Sequence, residues 1–513
     1  MPDSRFTIAA TVLFVSLIGL ACQNQAPAPR PNIIFILADD LGYGEVGAYG
    51  QQLIRTPNID QLAETGIRFT QHYSGSPVCA PSRGTLLTGK HTGHAYIRDN
   101  KEMGGWGPDE PEGQLPLPET EFTVTDLLKN AGYNTAVVGK WGLGGPDSEG
   151  LPSNHGVDLF YGYLCQRVAH NYYPTHLWRN NTRDTLEGNA WFSAHQRIDQ
   201  PLESMADYES RFQGAVYAPD RMIDESINFI RDNADHPFFL LYASPIPHVA
   251  LQVPQTSLQQ YEGQFPETPY LGEKSYLPHP EPRAAYAAMI SRLDDEVGRI
   301  MQTLDDVGIS ENTLVIFSSD NGPTYAGGAD AEFFDSAGGL RGLKGSVFEG
   351  GIRVPMIARW PGHISPGTLS GHPSAFWDFM PTVADITGEQ VPEGIDGVSY
   401  LPSLVGNSGQ AEHDYLYWEY HAFGGMQAVR MGNWKAVRLQ IREQQDSPIE
   451  LYDLVLDKSE SMNVAADHPE VVRQAREYMN RRSPSPIDEW NFRPRNPIAG
   501  DNTLPPSSAA RSK

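Results

Sequence analysis

Apolar residues in this chain gather in unbroken blocks rather than in alternation, and that decides the fold class. Asn32-Ile33-Ile34-Phe35-Ile36-Leu37-Ala38 has no polar break after its first residue. Thr313-Leu314-Val315-Ile316-Phe317-Ser318-Ser319 and Phe238-Phe239-Leu240-Leu241-Tyr242-Ala243 are built similarly, and Tyr133 to Val138 is a milder version. Blocks rich in branched residues predict strands buried on both faces of a largely parallel sheet. Between them, Val124 to Ala131 and Ala284 to Leu304 read as helices. The second carries Ile290, Leu293, Val297 and Ile300 at helical spacing. The prediction is an α/β fold with a large, mostly parallel or mixed central sheet flanked by helices.

Each predicted strand runs into a polar cluster. The endings are Asp39-Asp40, Asp320-Asn321, Gly139-Lys140 and the Pro245-Ile246-Pro247-His248 segment. Ligands of open α/β sheets bind at the carboxyl ends of the strands. A loop that simply starts polar explains any one ending, but not four with related chemistry.

From about residue 409 the texture changes to short strands separated by turn signals: Tyr415–Tyr420, Gln427–Met431, Trp434–Leu439 and Glu450–Leu454. A helix from Pro469 to Arg481 follows. Residues 32–408 are therefore expected to form the main domain. Residues 409–490 are expected to form a smaller antiparallel-sheet subdomain with a helix, and 491–513, rich in Pro, Ser and Asn, a disordered tail. At the other end, Arg5 precedes an apolar stretch from Phe6 to Leu20, long enough for a signal-peptide core and too short to span a bilayer. Its exit, Gly19-Leu20-Ala21-Cys22, resembles a bacterial lipoprotein signal (residues 1–22), with Cys22 lipidated and 23–31 as a tether. The expectation is an exported protein, periplasmic or an outer-membrane lipoprotein, touching membrane only through that lipid.

Composition adds constraints. The 513 residues are 40% hydrophobic and 20% charged, as in soluble globular enzymes, and suffice for several domains. A formal charge of -25 argues against nucleic acid and anionic membrane surfaces as partners. If the substrate is an anion, local cations must dominate at the site, with remote charge screened beyond about 8 Å. The three cysteines, Cys22, Cys79 and Cys165, make no disulfide framework.

Cys79-Ala80-Pro81-Ser82-Arg83, continuing to Gly89, places a lone cysteine beside an arginine in a turn opening a helix. An activated nucleophile suits such a place, because helix N-termini and cations stabilise an anionic attacking group. A buried free cysteine is the plainer alternative. Asp39, Asp40, Asp320 and Asn321 offer hard oxygen donors, favouring calcium or magnesium over zinc.

The spacing Cys-x-Pro-Ser-Arg resembles the modification signature of the type I, formylglycine-dependent sulfatases of the alkaline phosphatase-like superfamily. The similarity runs from Asn32 through Tyr452-Asp453-Leu454. It implies that Cys79 is oxidised to formylglycine by a formylglycine-generating enzyme. It implies a metal held by Asp39, Asp40, Asp320, Asn321 and residue 79, calcium by resemblance, with magnesium left open. Arg83 would orient residue 79, while Lys140, His248 and Lys344 would contact sulfate. The implied reaction is sulfate-ester hydrolysis. Gly139 to Gly145 and the aromatic-rich Tyr161 to Trp178 stretch point to a sulfated carbohydrate, a galactan or glycosaminoglycan fragment. Arg98, Arg167, His170 and Arg353 are candidate substrate contacts. One position departs from the pattern: Gly-Lys-Trp-His is usual, and residue 142 is glycine. His170 is a candidate substitute. A phosphatase or phosphonate monoesterase on the same scaffold, or a non-catalytic sulfated-glycan binding protein, are the alternatives.

Overall fold

The computed structural model describes residues 30–493 except Trp106 and Asp109. The expected leader, lipidation at Cys22, most of the tether and the tail beyond residue 493 lie outside those residues. No helix among the described residues is long and apolar enough to cross a membrane.

Ten strands form one mixed sheet. Its centre holds, side by side, Thr313–Ser319, Asn32–Ala38, Phe238–Ala243, Asn134–Lys140 and Leu159–Tyr163, all parallel. Beyond Thr313–Ser319, Met356–Arg359 joins antiparallel. The opposite edge is a hairpin of His176–Arg179 and Thr182–Thr185 that the apolar pattern does not announce, its outer strand being largely exposed. The four predicted blocks are thus central strands, and both faces of each are covered. Ile34, Ile36, Leu240, Tyr242 and Phe317 pack with Ile223 and Ile230 of helix Ala218–Asp232 and Ile290, Leu293 and Val297 of helix Pro282–Asp306. Ile33, Phe35, Leu37, Leu241 and Ile316 face Leu86, Leu127, Phe379 and Met380 from helices Cys79–Thr88, Val124–Asn130 and Phe379–Thr387. Fully burying such a side chain contributes roughly 1.5–3 kcal/mol, so the register of these strands is strongly specified.

That register decides where the polar endings fall. Leu37 pairs with both Ser318 and Ala243, and Gly139 with Ala243. The carboxyl ends of four strands therefore lie level, and their polar continuations meet at one edge.

Leu416–Tyr420, Met426–Met431, Trp434–Arg438 and Ile449–Asp453 form a separate antiparallel sheet. Side chains alternate across it. Val429, Met431, Ala436 and Leu451 pack with Ala475 and Met479 of helix Pro469–Met479, while Trp418, Ala428 and Val437 pack with Tyr73, Val347, Ile352 and Trp377 of the main body.

Candidate active site

The helix Cys79–Thr88 delivers residue 79 to the strand ends. Its side chains are buried all round, and it stops at Gly89, whose φ of 69° is the left-handed conformation that glycine adopts at no steric cost. Cys79 occupies its first position, with Sγ 3.4 Å from Asp39 Oδ1 and 3.9 Å from Asp40 Oδ1. Asp39 and Asp40 leave the Asn32–Ala38 strand, and Asp40 takes a left-handed φ of 69° that directs the chain away from the sheet. Neighbouring Asp320 follows in register: its N–H donates to Ala38 O at 3.0 Å, and its Oδ1 accepts from Asp40 N at 3.0 Å.

Cations ring these carboxylates. Lys140 Nζ donates to Asp39 Oδ2 at 2.5 Å, and Lys344 Nζ lies 2.7 Å from Asp40 Oδ1 and 3.6 Å from Cys79 Sγ. Arg83 donates to Asp320 Oδ2 through Nε (3.0 Å) and Nη2 (2.8 Å), and to the Lys140 carbonyl at 2.5 Å. Burial acts to raise the Asp39 carboxyl, but Lys140, His248, Arg83 and Lys344 outweigh it and hold it far below the usual range. Burial also pushes the Cys79 thiol well up, with Asp39 adding to it, so an unmodified thiol here is protonated and a poor nucleophile. His248 is pushed down to about 3 by burial and by Lys344. Its Nδ1 faces the Val249 carbonyl, which only accepts, so Nδ1 carries the proton and Nε2 offers a lone pair.

That Nε2 stands 3.7 Å from Asp40 Oδ2, two acceptors facing one another. Asn321 donates through Nδ2 to Asp40 Oδ1 at 2.8 Å, yet its buried Oδ1 has no hydrogen-bond partner among the described residues. Asp320 is pushed up to about 7 by burial and by Asp39, against Arg83. An orphaned carbonyl oxygen, crowded carboxylates and an imidazole lone pair all call for positive charge. Ligand atoms of Asp39, Asp40, Cys79 and His248 lie within 4.8 Å of one another. With Asp320 and Asn321 beside them, this oxygen-rich set fits a hard divalent cation.

The cluster opens into a cavity of about 330 Å³ lined by Cys79, His248, Lys344, Gln166, Arg167 and His170, with the rings of Tyr276, Tyr325 and Tyr420. His170 stacks on His248, centroids 4.6 Å apart and planes at 9°, and its Nδ1 is 3.1 Å from His195 Nε2. Arg167 approaches Glu102 at 3.4 Å on the cavity lining. Arg98 and Arg353, expected as substrate contacts, are not brought to this cavity. Arg98, 1% exposed, is held by Glu419 Oε1 (3.0 Å), Ala95 O and Ser483 at the subdomain junction. Arg353 donates to Thr70 O (2.8 Å) and pairs with Glu349 (3.3 Å). The guanidinium donors are consumed by buried acceptors, a pairing across 321 positions in the case of Glu419 that no local pattern reveals.

Gln166 is a residue the sequence pattern missed. It lines the cavity, is 2% exposed, and has neither Nε2 nor Oε1 hydrogen-bonded among the described residues. It also explains the glycine at 142. That residue has φ 78°, and a Cβ there would stand 2.4 Å from Gln166 Nε2.

A larger open groove of about 810 Å³ lies between helices Ala218–Asp232 and Pro282–Asp306, where Arg292 pairs with Asp220 and Arg299 with Asp224. It brings no comparable cluster together.

Comparison with known proteins agrees with this geometry. Residues 31–389 match the family model described as Sulfatase, and residues 343–483 match N-sulphoglucosamine sulphohydrolase, C-terminal. Arylsulfatase A of Bos taurus is 34% identical over 83% of this chain and 78% of its own length. Steryl-sulfatase of Mus musculus is 30% identical over 85% of this chain and 75% of its own. Among solved structures, that of Ps i-CgsB in complex with k-i-k-neocarrahexaose superposes with a TM-score of 0.70 at 27% identity, covering 90% of this chain and 94% of that one.

Proposed function

Because the chain belongs to the sulfatase family, whose members hydrolyse sulfate esters, we propose that its substrate is a sulfated carbohydrate and that residue 79 acts as formylglycine. The observation that carries the reading is the convergence of Cys79, three carboxylates and three cations at one sheet edge. Oxidised to formylglycine, residue 79 would supply a hydrated aldehyde as the nucleophile toward sulfur, with the S–O bond to the alcohol breaking in exchange. Asp39, Asp40, Asp320 and Asn321 would hold a calcium or magnesium ion, which would supply fixed positive charge against the sulfate.

The chain's own groups do the remaining work. Lys140 and Lys344 flank Cys79 and its neighbouring carboxylates, placed to hold sulfate oxygens and to stabilise charge that builds as the ester breaks. Arg83 fixes Asp320 and the end of the Lys140 strand, so that both keep their positions without solvent. Lys344, a protonated ammonium 3.6 Å from Cys79 Sγ, passes a proton to the departing alcohol oxygen, while neutral His248 presents only its Nε2 lone pair to the site. Burial of the cluster excludes water and strengthens each of these interactions. The aromatic rings beside the nucleophile suit a sugar ring, and the neighbour bound to a neocarrahexaose supports a carbohydrate over a sterol. The protein would act after export.

Steady-state assays with 4-nitrophenyl sulfate, 4-nitrophenyl phosphate and a panel of sulfated sugars test this. Sulfate-ester turnover, with the highest efficiency on a sulfated sugar, is expected. A higher efficiency on the phosphate would overturn it.

A further inference from the structure

A buried primary amide with four unused hydrogen-bonding positions is costly, because it has given up water without gaining partners. Gln166 is such a group. Both its Nε2 and Oε1 lack partners among the described residues, it is 2% exposed, and it borders the cavity that holds Cys79, His248 and Lys344. It is fixed there from both sides. Its backbone N–H donates to Gln114 Oε1 at 3.3 Å, and its amide packs over Gly142, which has no Cβ to displace it. Backbone pairing holds the two segments together, Gly142 N donating to Leu164 O at 3.0 Å. The chain has thus cleared space for an amide, and then left the amide unpaired.

We infer that Gln166 forms a hydroxyl-binding subsite of the catalytic cavity, its C=O accepting from, and its NH₂ donating to, a hydroxyl that arrives with the reaction. An amide and a hydroxyl each donate and accept, so one contact satisfies both partners. Two sources bring that chemistry: a sugar hydroxyl beside the sulfate ester, or the hydrated side chain at position 79. The inference rests on the sulfatase reading and names a specificity group within it. A site built to pair a hydroxyl rejects analogues that lack it far more strongly than a merely apolar pocket does.

The test uses full-length protein and two variants, Gln166→Met, which keeps length and loses the amide, and Gln166→His, which keeps a donor and an acceptor. Turnover is measured on 4-nitrophenyl sulfate and on the 6-sulfates of galactose and N-acetylglucosamine. Binding of the same sugars is measured by calorimetry on a Cys79→Ala background, where no nucleophile forms. If the hydroxyl is the sugar's, Gln166→Met weakens calorimetric binding by about 10- to 100-fold and lowers kcat/KM more on sugars than on the aryl ester. If it belongs to residue 79, binding holds and kcat falls by a similar factor on both substrate types. Gln166→His recovers part of the loss in either case. Unchanged binding together with unchanged kcat overturns the inference, as does a loss that merely follows a lowered Tm. Wild-type protein carrying the aldehyde but hydrolysing no sulfate ester would refute the sulfatase reading instead, and the calorimetric arm would still decide the role of Gln166.

Discussion

Two buried ionic clusters in this protein use the same residue types to opposite ends. At the junction between the main body and the C-terminal sheet, Glu419 is saturated. It accepts from Arg98 (3.0 Å), from Arg482 through Nε and Nη2 (2.5 and 3.0 Å) and from Tyr417 (2.7 Å), with His421 at 3.0 Å. Nearby, Lys435 lies between Glu349 (2.9 Å) and Glu460 (3.5 Å). At the catalytic edge the cations are equally close, but Asn321 Oδ1 and the whole Gln166 amide are left unpaired. The junction pairs every oxygen of Glu419, leaves His421 Nδ1 and Glu460 Oε1 without hydrogen-bond partners among the described residues, and serves cohesion. The catalytic edge is open chemistry and awaits ligands.

Breaking each cluster should therefore have different consequences. The largest effect is expected from Cys79→Ala, which should cost roughly four or more powers of ten in kcat while leaving the melting temperature nearly unchanged, read by assay and calorimetry on one preparation. Lys344→Ala should cost about 10²–10³ in kcat, the scale of losing one preorganised stabilising group. Lys435→Met should do the reverse. It removes the buried ammonium that Glu349 and Glu460 share, leaving Glu349 to Arg353 and Tyr73 and Glu460 without its lysine partner, so about 3–5 kcal/mol of stability should go, with specific activity per folded molecule retained. Gly142→His should lose about 1–3 kcal/mol from its positive φ and its collision with Gln166, and Gln166→Ala in the same chain should restore part of that.

The smallest effect sharpens the comparison through pH. Burial acts to raise the Glu419 carboxyl, but His421 and Arg482 outweigh it and hold it far below the usual value. A depressed folded value means its contribution is complete above the unfolded pKa of about 4.3 and is lost as pH falls below that. Acid unfolding of Glu419→Gln should accordingly start from lower stability and decline less steeply below pH ~4 than wild type. An equal slope would show that Glu419 is not the linked group.

Much of the catalytic edge was legible from the chain because fully buried parallel strands must be apolar throughout, so their ends are abrupt. Asp39-Asp40, Asp320-Asn321, Lys140 and His248 all mark such ends, and the structure sets them at one level. The C-terminal strands were legible as short strand-like runs separated by turn signals. What stayed hidden had no local signal. The exposed strand Thr182–Thr185 carries little apolar content. Arg98 and Arg353 look like free cations until Glu419, Thr70 and Glu349 are folded against them. Gln166 gains meaning only when Gly142, on the adjacent strand's extension, is laid beneath it.

The central claim is that the open cluster prepares an oxidised side chain at position 79. Peptide mass spectrometry across Cys79, on protein of known specific activity, tests it most directly. The aldehyde should be present, and its fraction should rise and fall with activity across preparations. Full sulfate-ester turnover by protein whose residue 79 is an intact thiol would contradict it.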